Sequence, residues 1–256
     1  MLFRSDGLLD ADGPGGTPDS ALALHVTSRL ESGLLQTRPG SIMASSDDFG
    51  VTVTGRGGHA SAPQDALDPV PAAAAMVGAL QTLMTRRVGA FDPAVLTVAH
   101  LLAGTTTNVI PETATLGGTL RTLSEQTRSR LLPELHRVCV GTAQAYGCTA
   151  TVEIDAGYPV TVNDPTVAER VADVGRSVLG SRLVEPMPDP IMGSEDFSYV
   201  LDRVPGALAF LGACPPEVDP AEAPPNHSNR VVFDEDAMVS GVALYSGFVL
   251  DALRPS

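Results

Sequence analysis

The sequence predicts an α/β domain interrupted by an inserted α+β domain. Strand-like and helix-like segments alternate near both ends of the chain, as is typical of an α/β domain. Between Asp47 and about Gly157 the signals follow the order strand, helix, strand, strand, helix, strand. This βαββαβ order is that of the ferredoxin-like fold, a four-stranded antiparallel sheet with two helices on one face. We therefore expect residues 1–46 and 158–256 to form one domain, and residues 47–157 to form the inserted one.

Two strands and two helices are expected outside the insert. Residues 21–26 and 206–211 are apolar runs that predict buried strands, the first ending near His25. Asp164 followed by Pro165 is typical of a helix start, and Gly180 of its end. The negative charges of residues 234–236 suit the start of a last helix. The residues expected to face the core are Val167, Val171, Val174 and Val178 in the first helix, and Met238, Val242, Tyr245 and Val249 in the second.

Within the insert, the strands are expected at residues 49–54, 94–102, 113–123 and 149–154. Asp68 followed by Pro69 caps the first helix, which has Val70, Ala73, Val77, Leu80 and Met84 on its apolar face. Ser124 caps the second helix, which has Leu131, Leu135 and Val138 on its apolar face. We expect Pro133 to kink or restart that helix, because its ring clashes with the preceding turn. The open edge of the sheet is a natural place for a second copy to pair.

The composition excludes several classes of function. A net charge of −14 repels nucleic-acid backbones and anionic lipid headgroups, so neither nucleic acid nor a membrane surface is an expected partner. All 16 basic residues are arginine, which excludes a lysine Schiff base and a P-loop. Three scattered cysteines indicate free thiols in a reducing compartment. With no apolar leader or membrane-length run, we expect a cytoplasmic protein.

The segment Gly55-Arg-Gly-Gly-His-Ala60 formally fits the G-x-G-x-x-A dinucleotide fingerprint. That fingerprint needs a helix opening at its third small residue and an acidic residue about twenty positions further on. Here Pro63 interrupts the segment where that helix would have to open, and the residues near position 79 are small or apolar. Dinucleotide binding is therefore the weaker interpretation.

Several motifs occur in one order that points to a family. They are Ala23-Leu-His-Val26, Gly55-Arg-Gly-Gly-His-Ala60, Thr107-Asn-Val-Ile-Pro111, Gly118-Thr-Leu-Arg121, Gly193-Ser-Glu-Asp-Phe197 and Asn226-His-Ser-Asn229. Together they resemble the aminoacylase/hippurate hydrolase family of metal-dependent amidohydrolases, which includes N-acyl-amino-acid and auxin-conjugate hydrolases. The resemblance runs from about Leu8 to Leu253. It implies a partial zinc-peptidase-like α/β domain carrying an inserted ferredoxin-like dimerisation domain.

By this resemblance, His25 and His227 are ligands of a divalent metal, Zn or Mn, in a two-metal site. Neutral imidazole suits such ions, although a lone histidine is more often an ordinary surface or core residue. His59 is expected to reach the active site of a partner subunit in a homodimer. There it would hydrogen-bond the scissile carbonyl oxygen and stabilise negative charge. The alternative is an imidazole that merely caps a turn.

The resemblance also implies a site for the substrate carboxylate. Asn108 and Arg121 would grip it, since a guanidinium matches a carboxylate in shape and charge. An ordinary salt bridge is the competing account of Arg121. Gly193 would lie near the substrate, and Glu195 would support the catalytic site. Alternatively, Ser194 could cap a helix whose first turn holds Glu195.

The family's Cys-Gly-His-Asp segment and Glu-Glu pair, which supply further metal ligands and the general base, do not occur in this sequence. Residues 1–9 align just past that pair, so we expect a truncated gene model, a split gene or a remnant. The function expected of the intact enzyme is hydrolysis of N-acyl amino acids or short peptides by metal-activated water, with little activity from this chain alone. The rival is a non-catalytic dimerisation and ligand-binding module. A serine hydrolase is a third, weaker interpretation, because no G-x-S-x-G motif is present.

Overall fold

The computed structural model describes residue 9 and residues 16–254, so most of the amino-terminal segment used in the alignment lies outside the described residues. The chain divides into two compact units, which are described separately. The first unit comprises the described residues of Met1–Ile42, Thr161–Ile191 and Glu195–Ser256. The second comprises Met43–Val160 and Met192–Ser194. The domain boundaries expected at 46/47 and 157/158 lie near the ends of Met43–Val160.

The described chain forms twelve strands and five α-helices. The strands are β1 (Ala21–Glu31), β2 (Leu35–Thr37), β3 (Gly40–Met43), β4 (Asp47–Thr54), β5 (Gly58–His59), β6 (Ala94–Ala103), β7 (Val109–Ile110), β8 (Thr113–Thr122), β9 (Thr149–Ala156), β10 (Thr161–Asn163), β11 (Val184–Pro186) and β12 (Gly206–Cys214). The helices are α1 (Pro69–Arg87), α2 (Glu125–Ala145), α3 (Pro165–Leu179), α4 (Ser198–Leu201) and α5 (Ala237–Ala252), and short 3-10 turns lie at Pro63–Asp65 and Ser181–Leu183.

The first unit is built on a mixed sheet in the order β1, β12, β2, β11. Strand β12 pairs with β1 in parallel and with β2 antiparallel. All nine residues of β12 are buried, as expected for a central strand covered on both faces. Strand β1 lies at the edge of this sheet and runs five residues beyond the predicted end at position 26.

Helices α3 and α5 share one core cluster with this sheet. The cap of α3 is as predicted, with the Asp164 carboxylate accepting hydrogen bonds from the backbone N–H groups of Thr166 and Val167. The predicted inner face of α5 is wrong. Met238, Val242, Tyr245 and Val249 are all exposed, and α5 instead buries Ala237, Gly241, Leu244 and Phe248. In α3, Val178 is likewise exposed.

The second unit confirms the predicted ferredoxin-like arrangement. Its sheet has the order β6, β8, β4, β9, and every pair is antiparallel. Helices α1 and α2 pack against it around a core that includes Met76, Leu80 and Leu131. Asp68 and Ser124 cap the two helices as predicted. Helix α2 continues without restarting at Pro133, which is exposed.

An ion pair that the sequence did not reveal ties α2 to the sheet. The Arg128 guanidinium donates two hydrogen bonds to Asp47, from Nε to Oδ2 at 2.8 Å and from Nη2 to Oδ1 at 2.7 Å. The Asp47 side chain is only 1% exposed. The bond to Asp47 raises the pKa of Arg128 above its ordinary value. This bidentate pair fixes the start of β4 against the first turns of α2.

The three cysteines agree with the expectation of free thiols. Cys139, Cys148 and Cys214 are buried and unpaired. Burial raises the pKa of the Cys139 thiol to about 12, which makes it unreactive. In the described part of the chain, no helix combines the length and the apolar character needed to cross a membrane.

Candidate functional site

In the first unit, the predicted ligand His25 lies within β1 rather than at its end. It is opposite Phe210 of β12, and the centroids of the two rings are 5.3 Å apart. The strand continues past His25 because the pairing with β12 extends to Thr27 before it becomes irregular. The imidazole is about one third exposed, so it can be reached from solvent.

The hydrogen bonding of His25 selects one tautomer. Its Nδ1 lies 2.8 Å from the backbone carbonyl of Val26. Because a carbonyl can only accept, Nδ1 carries the proton in the neutral ring. The lone pair is then on Nε2, which lies 3.9 Å from Oε2 of Glu195. Metal-binding histidines are oriented in this way, with the other ring nitrogen donating to a carbonyl or carboxylate.

Glu195 precedes α4, in a turn held by Ser198. The hydroxyl of Ser198 donates to the Glu195 carbonyl at 2.7 Å, and its backbone N–H donates to the same oxygen at 3.2 Å. Burial and the neighbouring Asp196 raise the pKa of Glu195, whereas the Phe197 backbone N–H and His25 act in the opposite direction. The alternative in which Ser194 caps a helix over Glu195 is wrong, because α4 begins only at Ser198 and has no side-chain cap.

His227 lies in an exposed turn that Asn226 fastens to β1. The Asn226 side chain donates from Nδ2 to the Val26 carbonyl at 2.6 Å and accepts at Oδ1 from the Ser28 backbone N–H at 3.1 Å. The amide thus pairs with the outer edge of β1 as a neighbouring strand would. The Val26 carbonyl accepts from both His25 and Asn226, so one backbone oxygen links the two segments that carry the predicted ligands.

Sequence reasoning did not assign a role to Asn226. Its only signal was its position directly before His227 in the motif. Among the described residues, no three His, Cys, Asp or Glu side chains are grouped so that they could hold a metal ion. The described residues therefore do not group a complete protein ligand set for a metal ion.

In the second unit, His59 and Asn108 are brought together on a short ribbon. Strand β5 pairs with β7 so that His59 is opposite Val109. The Ala60 backbone N–H donates to the Asn108 carbonyl at 3.0 Å. The side chains of His59 and Asn108 are both exposed. The two motifs, about fifty residues apart in the sequence, therefore form one surface.

The glycines before His59 are required by close approach of the backbone. A Cβ atom at Gly55 would lie 2.0 Å from the Leu67 carbonyl oxygen, and one at Gly57 would lie 2.9 Å from that of Ile110. Both have φ angles outside the left-handed region. They permit close approach of the neighbouring backbone rather than a left-handed turn.

His59 has the opposite tautomer to His25. Its Nδ1 accepts a hydrogen bond from the Ser61 backbone N–H at 3.1 Å and lies 2.7 Å from the Ser61 hydroxyl. Since a backbone N–H can only donate, Nδ1 is unprotonated and the neutral ring carries its hydrogen on Nε2. The imidazole does cap a turn, as the simpler interpretation suggested. The same bonds also make Nε2 a hydrogen-bond donor.

Arg121 and the segment containing Gly193 are also adjacent in the second unit. The guanidinium of Arg121 donates from Nη1 to the Met192 carbonyl at 3.0 Å. The Gly193 carbonyl accepts from the Ala44 backbone N–H at 2.8 Å. Within the described part of the chain, Arg121 has no carboxylate partner, so an ordinary salt bridge does not account for it.

The dinucleotide interpretation does not fit this geometry. After Gly55 the chain enters the β5–β7 ribbon and a 3-10 turn, and α1 begins only at Pro69. The pyrophosphate site of a dinucleotide-binding fold needs a helix N-terminus at the third small residue of the fingerprint. No helix begins at that position.

Comparisons with known proteins agree with the resemblance. Among curated proteins, thermostable carboxypeptidase 2 of Saccharolobus solfataricus is 34% identical over 229 residues, 89% of this chain and 57% of that protein. N-acetyldiaminopimelate deacetylase of Enterococcus faecalis is 36% identical over 234 residues, 91% of this chain and 59% of that protein. IAA-amino acid hydrolase ILR1-like 4 of Arabidopsis thaliana is 34% identical over 227 residues, 87% of this chain and 51% of that protein.

Two solved structures show the same fold. A protein from methicillin-resistant Staphylococcus aureus, described as an aminohydrolase, superimposes with a TM-score of 0.87 at 31% identity, covering 98% of this chain and 62% of that one. Bacillus subtilis YXEP, described as a dinuclear metal-binding peptidase, gives a TM-score of 0.77 at 24% identity, covering 98% and 60%. The chain thus has the fold of a partial zinc-peptidase-like domain and spans less than two thirds of these proteins.

The family comparison covers nearly the whole chain. The model of peptidase family M20/M25/M40 matches residues 5–251, a range that contains every candidate residue described above. The chain belongs to peptidase family M20/M25/M40.

Proposed function

We propose that this chain carries the substrate-binding residues and part of the metal site of an amidohydrolase that cleaves the amide bond of N-acyl amino acids. The observation that carries the proposal is the opposite tautomers of two imidazoles. His25 keeps a lone pair on Nε2, which suits a metal ligand, and His59 keeps a hydrogen on Nε2, which suits a donor to a carbonyl oxygen.

His25 and His227 would hold a divalent metal, Zn or Mn, with Glu195 supporting the site. The Val26 carbonyl fits this assignment because it orients the His25 ring and, through Asn226, anchors the turn that carries His227. When bound, such a metal would activate water and polarise the amide carbonyl. Since the described residues group no third ligand, residues from outside this set would have to complete the site.

Asn108, Arg121 and Gly193 would bind the carboxylate of the amino-acid part. Support comes from the guanidinium of Arg121, which is anchored by one bond to the Met192 carbonyl and has no carboxylate partner in the described chain. Arg121 is half-buried, and in such a position a charge-assisted hydrogen bond is stronger than in bulk water. The names of two relatives, N-acetyldiaminopimelate deacetylase and IAA-amino acid hydrolase, support an N-acyl amino acid as the substrate, whereas the name carboxypeptidase supports a short peptide.

The rival function is a non-catalytic dimerisation and ligand-binding module. In that case only the second unit would have a function, which would be pairing with another copy. In the first unit, His25, Glu195 and the Asn226-anchored turn retain a specific arrangement that dimerisation does not need. This arrangement favours the hydrolase.

The test compares the chain alone with the chain fused behind the upstream part of the E. faecalis relative. Release of free amino acid is measured from N-acetyl and N-benzoyl amino acids and from dipeptides, with Zn²⁺, Mn²⁺ or Co²⁺ added. We expect turnover only in the fusion. In the fusion, His227→Ala should abolish turnover and should also lose bound metal. The control His100→Ala alters an exposed imidazole on β6 and should keep activity. A folded fusion inactive on every substrate would refute the hydrolase. Turnover by the chain alone would refute the expectation that its ligands are insufficient.

The proposed position of His59 in a partner's site has its own test. In the fusion, His59→Ala should lower kcat by about 10²–10³-fold with metal content unchanged, as loss of an oxyanion donor does. Mixing His59→Ala with His227→Ala subunits should restore one competent site per heterodimer. If the exchanged mixture is no more active than the sum of the two variants, the cross-subunit role is wrong.

A further inference from the structure

The two helices of the second unit, α1 and α2, leave an open groove of about 580 Å³ between them. Arg130, which pairs with Asp92 at 3.7 Å, also donates from Nη1 to the Arg87 carbonyl at 2.7 Å, and so holds the last turn of α1 beside the first half of α2. We call this feature the α1–α2 groove. It is defined by three arginines and three small residues that line it, namely Arg86, Arg87, Arg137, Ala79, Gly141 and Ala145.

One end of the α1–α2 groove has more guanidinium groups than carboxylates to pair with them. Arg137 donates to Oε2 of Glu134 at 2.5 Å. This hydrogen bond, together with the charges of Arg137 and Arg87, holds the pKa of Glu134 below its ordinary value. In the described part of the chain, neither Arg86 nor Arg87 has an ion-pair partner. An anion at this end would therefore meet a positive field, although the net charge of the chain is −14.

The rest of the α1–α2 groove is an apolar trough that no side chain fills. Leu83 and Val138 line it beside the small residues, and Leu83 belongs to the core of the unit. A Cβ atom added at Gly141 would have no other atom within 4 Å, so the space above this glycine is empty. The trough therefore presents apolar surface to whatever enters the groove.

We propose that the α1–α2 groove binds an amphiphilic carboxylate, with its anionic group at Arg86 and Arg87 and its aliphatic chain in the trough beside Gly141. Guanidinium groups match carboxylates in charge and shape, and an apolar chain gains by leaving water for an apolar surface. Residues 79 to 87 of α1 extend for about 12 Å along the helix axis, which gives room for a medium-length chain. The groove volume is also in the range of small-molecule sites, about 300–1,000 Å³.

Other accounts of the α1–α2 groove explain only part of it. Arginines in the last turn of α1 suit the negative end of the helix dipole, but Arg137 lies within α2 and the dipole does not explain the trough. An inorganic anion would use the guanidinium groups and leave the apolar surface in water. The proposal concerns the second unit alone and does not rest on the proposed hydrolysis, so its test measures binding rather than activity.

The test titrates the full chain with octanoate, which has both features, with acetate, which lacks the chain, and with octan-1-ol, which lacks the charge. We expect octanoate to bind and each of the other two to bind at least tenfold more weakly.

Two pairs of variants locate the site. Gly141→Leu fills the trough and should weaken octanoate binding at least tenfold. Gly78→Leu is its control, since Gly78 lies on α1 outside the groove lining and a Cβ there also meets no atom within 4 Å. Arg87→Gln should weaken binding about tenfold, as loss of a charge-assisted hydrogen bond does. Arg176→Gln removes the same charge from an exposed site on α3 and should bind like the wild type. Circular dichroism and urea unfolding check that all four variants are folded.

Four results would overturn the proposal. The first is no binding of octanoate by the wild-type chain. The second is binding of acetate or octan-1-ol as tightly as octanoate, which would leave a simple anion site or a simple apolar surface. The third is equal binding by each variant and its control. The fourth is binding of phosphatidylglycerol vesicles, but not of free octanoate, which would assign the groove to a membrane surface.

Discussion

At the scale of single residues, the candidate site depends on backbone groups that set the state of side chains. The Val26 carbonyl fixes the tautomer of His25, and the Ser61 N–H fixes that of His59. Sequence motifs single out both imidazoles as candidates, because the surrounding glycines and apolar residues are specific. They could not identify which ring nitrogen carries the hydrogen, because that depends on carbonyl and N–H directions in the folded chain. The role of Asn226 was missed because its bonds to Val26 and Ser28 form only in the folded chain.

Replacing Asn226 should destabilise the first unit. In Asn226→Ala, the buried Ser28 backbone N–H loses its acceptor and the Val26 carbonyl loses one donor. An unsatisfied buried donor costs about 1–3 kcal/mol, so urea unfolding should show a loss of that size. Asn229→Ala, an exposed position in the same turn, should leave the unfolding midpoint unchanged. An equal midpoint shift in both variants would contradict the anchoring role of Asn226.

At the scale of elements, the sequence predicts correctly the features that depend on bonds within one element. It predicts poorly the features that depend on how elements pack against each other. The caps Asp68, Ser124 and Asp164 were predicted correctly because each side chain bonds within its own helix end. The burial of α5 was wrong because its two faces are equally apolar, and only the packed fold distinguishes them. The restart expected at Pro133 did not occur, since the rest of α2 is held by its core contacts.

The buried pair between Asp47 and Arg128 leads to a prediction for the second unit. Arg128→Met should leave the Asp47 carboxylate buried without its partner and destabilise the fold by about 3–5 kcal/mol, measured by urea unfolding. Adding Asp47→Asn should recover part of that loss. The control on the same helix is Arg137→Met, which removes an exposed pair with Glu134 and should cause no measurable change. A small effect of Arg128→Met, like that of the control, would mean that the pair contributes little.

At the scale of the whole molecule, the two edges of the ferredoxin-like sheet are unlike. The alternate exposed positions of edge strand β9 are Thr149, Thr151, Glu153 and Asp155, and charges such as the last two protect an edge from pairing. Edge strand β6 instead exposes Val95, Leu101 and Leu102, the last at 65%. If the chain forms a homodimer through this unit, β6 is the edge that the side chains favour.

This contrast predicts the outcome of edge substitutions in the full chain. The wild type should sediment as a dimer, and Leu102→Lys should shift it to monomer, because a lysine on the edge opposes strand pairing. Thr151→Lys on β9 introduces the same charge at the other edge and should leave the dimer intact. A monomeric wild type, or a dimer that only Thr151→Lys disrupts, would show that β6 is not the interface.

The short stretch Met192–Ser194 has a practical consequence for engineering this family. It is separated in sequence from Met43–Val160, yet it accepts the hydrogen bonds of Arg121 and of the Ala44 N–H. A chimaera that exchanges only the contiguous ferredoxin-like segment would combine an arginine from one parent with a tripeptide from another. On the role proposed for Arg121, substrate preference in such a hybrid would follow neither parent unless both pieces were transplanted together.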